Sequence, residues 1–189
     1  MPNIDDDARA WELAMTQRIG EAVTARRKAL GLTAQKLEEL TRNLGYPITR
    51  VAVSKIENNT RSAKFDVAEL LILAAALDIP PMLLLFPDFP DGTVEVVPGV
   101  QRTSQSAADW LSGRGPGPSA EAEANAGVLL TAAVRGLLDA KIRWLVGRAE
   151  AIKDKSPGLA DAIARFKSEV EIAEQQVSLA KAQVWGSDA

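Results

Sequence analysis

Residues 31–61, GLTAQKLEELTRNLGYPITRVAVSKIENNTR, decide the fold. Thr33 is an N-cap for a helix over Ala34 to Leu44, with Leu37, Leu40 and Leu44 along one face. Gly45-Tyr46-Pro47 breaks the chain, and a second N-cap, Thr49, opens a helix over Arg50 to Asn58. On that helix the apolar Val53 and Ile56 lie three apart and mark an inner face. Arg50, Val51, Ser54 and Lys55, with Asn58, Asn59 and Arg61 after them, are left to face outward. Two short helices at a steep angle, the second offering polar and basic groups, are what the major groove of DNA accepts.

Working outward, a helix is predicted from about Trp11 to Leu30, with Leu13, Ile19, Val23 and Leu30 on its core face and Gly31 as its stop. Its last turn, Arg26-Arg27-Lys28, suits the helix dipole and reads as a solvated end. A fourth helix starts near Asp66 and carries Val67, Leu70, Leu71, Leu73, Ala74 and Leu77. Pro80 and Pro81 start a short fifth through Leu85. Five short helices around one aliphatic core make an all-α domain over residues 1–86.

Residues 87–119 read as a connector. It holds a short extended piece at Val94–Val97, a short helix from Ser104 to Leu111, and the Gly/Pro-dense linker GRGPGPS at 113–119. Residues 120–189 read as a hairpin of two long helices, Ala120–Lys155 and Leu159–Val184, bent at Ser156-Pro157-Gly158. The second has one apolar repeat in steps of four and three, from Leu159 through Ile163, Phe166, Val170, Ala173, Val177 and Ala180 to Val184. The first has two stripes, Leu138, Ile142, Leu145, Ala149, Ile152 and Leu130, Val134, Leu137, Trp144. One stripe suffices for the hairpin; the other needs a further surface, expected to be another subunit. The interface is assigned to Leu130, Val134, Leu137, Trp144, Phe166, Val170 and Val177, against the simpler reading of a hairpin with no oligomer.

The net charge of −3 conceals an asymmetry. Between Arg18 and Lys64 there are ten Lys/Arg against four Asp/Glu, a local +6, while the remainder is −9. A basic island inside an acidic chain is an electrostatic sign of nucleic-acid binding. The chain has no cysteine and no histidine, which removes disulfides, the common zinc sites, Ser-His and Cys-His nucleophiles and the usual neutral-pH acid/base. No enzyme activity, metal or cofactor is expected. Asp5-Asp6-Asp7 reads as an acidic terminus rather than a metal site. No apolar run reaches the ~20 residues of a membrane span, and the N-terminus is unlike a secretory signal. A cytoplasmic, nucleoid-associated protein is expected.

The motifs GLTAQKLEEL (31–40), ITRVAVSKIENNTR (48–61) and VAELLILAAALDIP (67–80) stand in order and at sensible spacing. Through them residues 11–86 resemble the XRE family, the Cro- and lambda-repressor-like helix-turn-helix proteins. ELLILAAALDIPPMLLLFP (69–87) looks like actinobacterial and actinophage versions. Two departures stand out: TRNLGYP lengthens the turn before the third helix, predicting a slightly altered angle for it, and Ala34 intervenes before Gln35. The resemblance implies a lambda-repressor-like domain in which Thr49, Arg50, Val51 and Ser54 read base edges. Thr33, Gln35, Lys36, Lys55, Asn58, Asn59 and Arg61 contact the DNA backbone. Glu57 is structural, paired with a nearby Arg. Arg50 either reads guanine or is a phosphate contact or a solvated side chain. Double-stranded DNA is the expected partner, and the expected protein is a dimeric repressor, of phage or host type, on paired half-sites. The alternative is an autoregulating antitoxin-like or adaptor protein whose C-terminal helices bind a protein partner.

Overall fold

Four consecutive helices each end on a residue in the left-handed region, and these stops shape the N-terminal domain. The computed structural model describes residues 6–61, 64–118, 125–153 and 157–186, apart from the side chains of residues 153 and 157. Helices α1 (Asp6–Ala29), α2 (Ala34–Asn43), α3 (Arg50–Glu57) and α4 (Val67–Ala76) are followed by Gly31 (φ +66°), Gly45 (φ +85°), Asn59 (φ +50°) and Asp78 (φ +49°). In each case the next residue donates its N–H back into the last turn. Leu32 donates to Arg27 O, Tyr46 to Thr41 O, Thr60 to Lys55 O and Ile79 to Ala74 O, at 3.0–3.2 Å. Side chains cap the starts. Thr33 Oγ1 accepts from Lys36 N–H at 3.1 Å, Thr49 Oγ1 from Ala52 N–H at 3.2 Å, and Asp66 and Glu69 form a reciprocal capping box on α4. Pro81 opens α5 (Pro81–Leu85).

The buried faces meet in one core of Ile19, Val23, Leu37, Ile48, Val53, Ile56, Leu73, Leu77 and Leu84. Burying a Leu, Ile or Val side chain contributes about 1.5–3 kcal/mol. α1 begins at Asp6, earlier than the expected Trp11, so Asp6 and Asp7 lie in its first turn against the positive end of the dipole and not in an acidic tail; Asp5 lies outside the described residues.

The segment expected as a connector from Pro87 packs instead with the five helices as far as Ala108. β1 (Thr93–Val97) and β2 (Val100–Thr103) form an antiparallel hairpin, with Thr93 opposite Thr103 and Val97 opposite Val100. α6 (Ser104–Leu111) follows. Phe86, Val94, Ala107 and Ala108 make a second small core with Met82 and Leu85. The Trp11 indole N–H donates to Glu95 O at 3.1 Å, and Arg18 Nε donates to Leu85 O at 2.8 Å. Burial lowers the Arg18 pKa, against the pull of Asp88 and Glu95.

From Asp109 onward the chain forms a second unit. Its helices α7 (Ala126–Lys153) and α8 (Pro157–Trp185) run antiparallel: Phe166 lies against Gly147, and Arg143 bonds Glu169 at 3.1 Å. The expected beginning of α7 at 120–124 lies outside the described residues, as does Ser156 of the expected bend at 156–158, whereas Pro157 and Gly158 already belong to α8. The linker is fastened at its start, since Gly113 O accepts from Thr131 Oγ1 (2.6 Å) and Arg135 Nη2 (3.3 Å). Among the described residues, no helix is long and apolar enough to cross a membrane.

Candidate nucleic-acid interface

The placement of α3 follows from what α1 and α2 do to its two ends. Gly20 in the middle of α1 faces the C-terminal end of α3, and any Cβ there would collide with the Ile56 carbonyl oxygen. A lone glycine inside an amphipathic helix thus marks the closest approach of two backbones. Arg27 grips Glu57 with two of its three nitrogens, Nε to Oε1 at 2.5 Å and Nη2 to Oε2 at 2.8 Å. This largely buried fork raises the Arg27 pKa and bears out the structural reading of Glu57. Arg26 donates to the carbonyls of Leu77 and Asp78, both at 3.0 Å. Arg26 and Arg27 are therefore internal fasteners, and of this trio Lys28 is the exposed one.

The start of α3 is held from α2. Glu38 accepts the backbone N–H of Arg50 at 2.7 Å on one oxygen and the Arg42 guanidinium at 2.5 Å on the other. The Arg50 N–H, then Arg42, holds this carboxyl below the usual glutamate range. With Thr49 capping Ala52, two of the four orphan N–H groups of the first turn are satisfied within the domain. The i, i+4 pairing of Glu38 with Arg42 is visible in the sequence; its reach to Arg50 depends on the path of the intervening turn.

That turn is long but not slack. Ile48 is buried in the core and its N–H donates to Thr41 Oγ1 at 3.0 Å. Leu44 and Tyr46 are exposed between these anchors.

Thr49, Arg50, Val51 and Ser54 are all exposed on α3, as are Lys55 and Asn58. Val51 is 58% exposed, a high value for an aliphatic residue beside a charged one. Asn58 Nδ2 donates to Ser54 O at 2.8 Å and lies 3.3 Å from Ser54 Oγ, so Asn58 and Ser54 form one polar patch. At the start of α2, Thr33, Gln35 and Lys36 are exposed, and Lys36 pairs with Glu39 at 2.7 Å. An exposed pair of this kind is worth ~0–1 kcal/mol and yields readily to a phosphate.

Two expected backbone contacts have internal duties. The Asn59 amide donates to Leu13 O at 3.3 Å and accepts from Thr16 Oγ1 at 3.1 Å, tying the end of α3 to α1. Arg61 Nη1 lies 2.7 Å from both oxygens of Glu69, a mostly buried carboxylate. Asn59 is thus spent on the domain, and Arg61 is held to it through Nη1. Sequence spacing put both in a basic loop after α3, but could not show the groups facing them from α1 and α4.

In the second unit the expected interface residues divide. Leu137, Trp144 and Val170 pack with Ala140 and Ala173 in the core of the hairpin itself. Phe166 covers Gly147, and Val177 lines a groove with Leu137. Leu130 is half-buried and Val134 is exposed. Small residues at 140, 147 and 173 let the two helices approach, and this draws the neighbouring large side chains into the seam.

With this geometry in place, the chain contains a helix-turn-helix reading head: α2 and α3 locked together, with the outer side of α3 free of core duties. A family model described as Helix-turn-helix matches residues 23–84, about a third of the chain, running from the second half of α1 into α5. Over these residues the chain carries a Cro/C1-type helix-turn-helix of the XRE family, a DNA-binding module. Neither curated proteins nor solved structures give a match to the chain.

Proposed function

We propose that the protein is a dimeric repressor that places one α3 in the major groove of each of two half-sites. The observation that carries this reading is the division of labour on α3. Its inner residues Val53 and Ile56 and its end at Asn59 are tied to the domain, whereas Arg50, Val51, Ser54 and Lys55 are exposed, with the Ser54 hydroxyl bonded only to its neighbour Asn58 on the same face. Arg50 suits the guanine O6/N7 edge, and Val51 suits a thymine methyl. Lys55, Gln35 and Lys36 suit phosphates on either side.

One short recognition helix covers too few base pairs for useful specificity, so two copies about one helical turn apart are required. Repression rather than activation, and an actinobacterial or phage subtype, rest on the resemblance of residues 69–87 and neighbouring motifs. The second reading, an antitoxin-like or adaptor role for the C-terminal helices, is favoured by the apolar surface those helices leave exposed.

Selection of bound sequences from random DNA, with the mass of the complex measured alongside, tests the reading. A two-fold-symmetric site bound by two chains is expected. An asymmetric single site bound by one chain refutes the dimeric repressor, and a stoichiometric second protein purifying with the chain points to the adaptor.

A further inference from the structure

The hairpin of α7 and α8 leaves much of its apolar surface uncovered in one copy. Its seam buries Ala140, Ala173 and Val170 with the help of Leu137 and Trp144, a core far smaller than a unit of its length needs. Large apolar side chains remain outside. On α7, Val134 (48%), Leu138 (58%), Ile142 (49%), Leu145 (56%) and Ile152 (82%) are exposed. With Ala149 they form one stripe in steps of four and three, on the side of the helix away from Ala140 and Gly147, which face α8.

We propose that a second copy of this chain covers this face, with α7 of one protomer packed on α7 of its partner through Val134, Leu138, Ile142, Leu145, Ala149 and Ile152. The proposal rests on the two-copy reading above and names the surface that realises it.

Three observations favour a second copy over another occupant. The stripe is about 27 Å long at 1.5 Å per residue and contains no charged residue, so a two-fold axis across it sets like length against like length. The adjoining basic side chains are turned back onto their own hairpin, Lys141 to Glu174 at 3.0 Å and Arg148 over the Trp144 ring at 5.0 Å, which keeps like charges from meeting across the axis. Beside the stripe lies a groove of about 380 Å³ on Trp144, Leu145 and Val170, rimmed by Lys141, Lys167, Glu171 and Glu174. These four are paired within the hairpin, Lys141 with Glu174 at 3.0 Å and Lys167 with Glu171 at 3.6 Å, so the rim is balanced and carries no excess of one sign to repel its own copy. The groove also widens the contact towards the ~800 Å² per partner of a standard interface.

The test uses the full-length protein. Mass by light scattering and sedimentation is measured for the wild type and for Ile142→Asp with Leu145→Asp, with helicity followed by circular dichroism. Because the chain has no cysteine, Ile142→Cys and Leu145→Cys each introduce a unique thiol at the middle of the stripe, and Leu179→Cys places one on exposed α8 surface. The expected results are a wild-type dimer, a dissociation constant raised more than about a hundredfold by the two buried aspartates, and oxidative cross-linking at Ile142→Cys or Leu145→Cys but not at Leu179→Cys. A dimer that survives the aspartates, or cross-links through Leu179→Cys alone, overturns this face while leaving the two-copy reading intact. A monomeric wild type overturns both. The cysteine variants decide the matter even where the aspartates unfold the hairpin.

Discussion

At the scale of the residue, the distinction that matters is between side chains spent on the domain and side chains the domain leaves exposed. Arg50 and Lys55 are of the second kind and differ in position, Arg50 at the first turn of α3 and Lys55 near its end. Arg50→Ala is expected to relax preference at one operator position, at a cost of about 1–3 kcal/mol there. Lys55→Ala is expected to weaken all sequences alike and reduce the salt slope by about 1. Binding titrations over a range of salt, with operator and single-base variants, separate the two, and no effect from either would remove α3 as the reader. Asn59→Ala should behave differently from both, lowering stability by about 1–2 kcal/mol in urea melts while leaving the salt slope untouched; a changed slope at constant stability would restore Asn59 as a phosphate contact. Residue type and spacing made Arg50, Val51, Ser54 and Lys55 legible, because an exposed face is the complement of an apolar one. They could not separate Asn58 from Asn59 or identify Arg61 as the partner of Glu69, since those duties depend on groups distant in sequence.

At the scale of the element, α3 is a helix of eight residues, too short to hold itself and therefore dependent on its neighbours. Gly20→Ala tests the closest of these supports. The added methyl group meets the Ile56 carbonyl, so α1 and α3 must separate, at a cost of about 1–3 kcal/mol or more. A thermal melt within 1 °C of the wild type would show that the helices part freely.

Glu38 supports the other end, and its effect is pH-dependent. Its carboxyl titrates lower folded than unfolded, so the stability it contributes is whole above the ordinary glutamate pKa of about 4.3 and is lost as pH falls through the lower folded value. The stability gap between the wild type and Glu38→Gln should therefore be constant near neutrality and shrink on acidification below roughly pH 4. A gap that persists at pH 2–3 would assign it to shape rather than charge. The helices themselves were legible from caps and periodicity. The β-hairpin was harder to see, since β1 and β2 are five and four residues long and local pattern does not reveal what they pack upon.

At the scale of the whole molecule, one chain contains two units with different problems. The first has its own core, while among the described residues the second buries only a small one. Deleting residues 120–189 should leave a folded, monomeric protein whose operator binding is weaker by at least about tenfold per subunit, measured by gel shift with mass in parallel. Unchanged mass and affinity would mean that the C-terminal helices play no part in assembly. The two long helices were readable from their apolar repeats, but the choice between the two stripes on α7 was not. Small residues at 140, 147 and 173 settled it by drawing Leu137 and Trp144 inward.

The lengthened connection between α2 and α3 has a consequence for how this reading head could be rebuilt. Thr41 holds Tyr46 through its carbonyl and Ile48 through its hydroxyl, so the loop is closed at its base by a single residue. The attitude of α3 is fixed elsewhere, by Gly20, Arg27, Glu38 and Asn59. The extra residues therefore behave as a detachable thumb on a rigid hand. A graft that shortens the thumb but keeps Thr41 and Ile48 would carry the same fingers to the same bases, making the loop a place to alter the protein without retuning its grip.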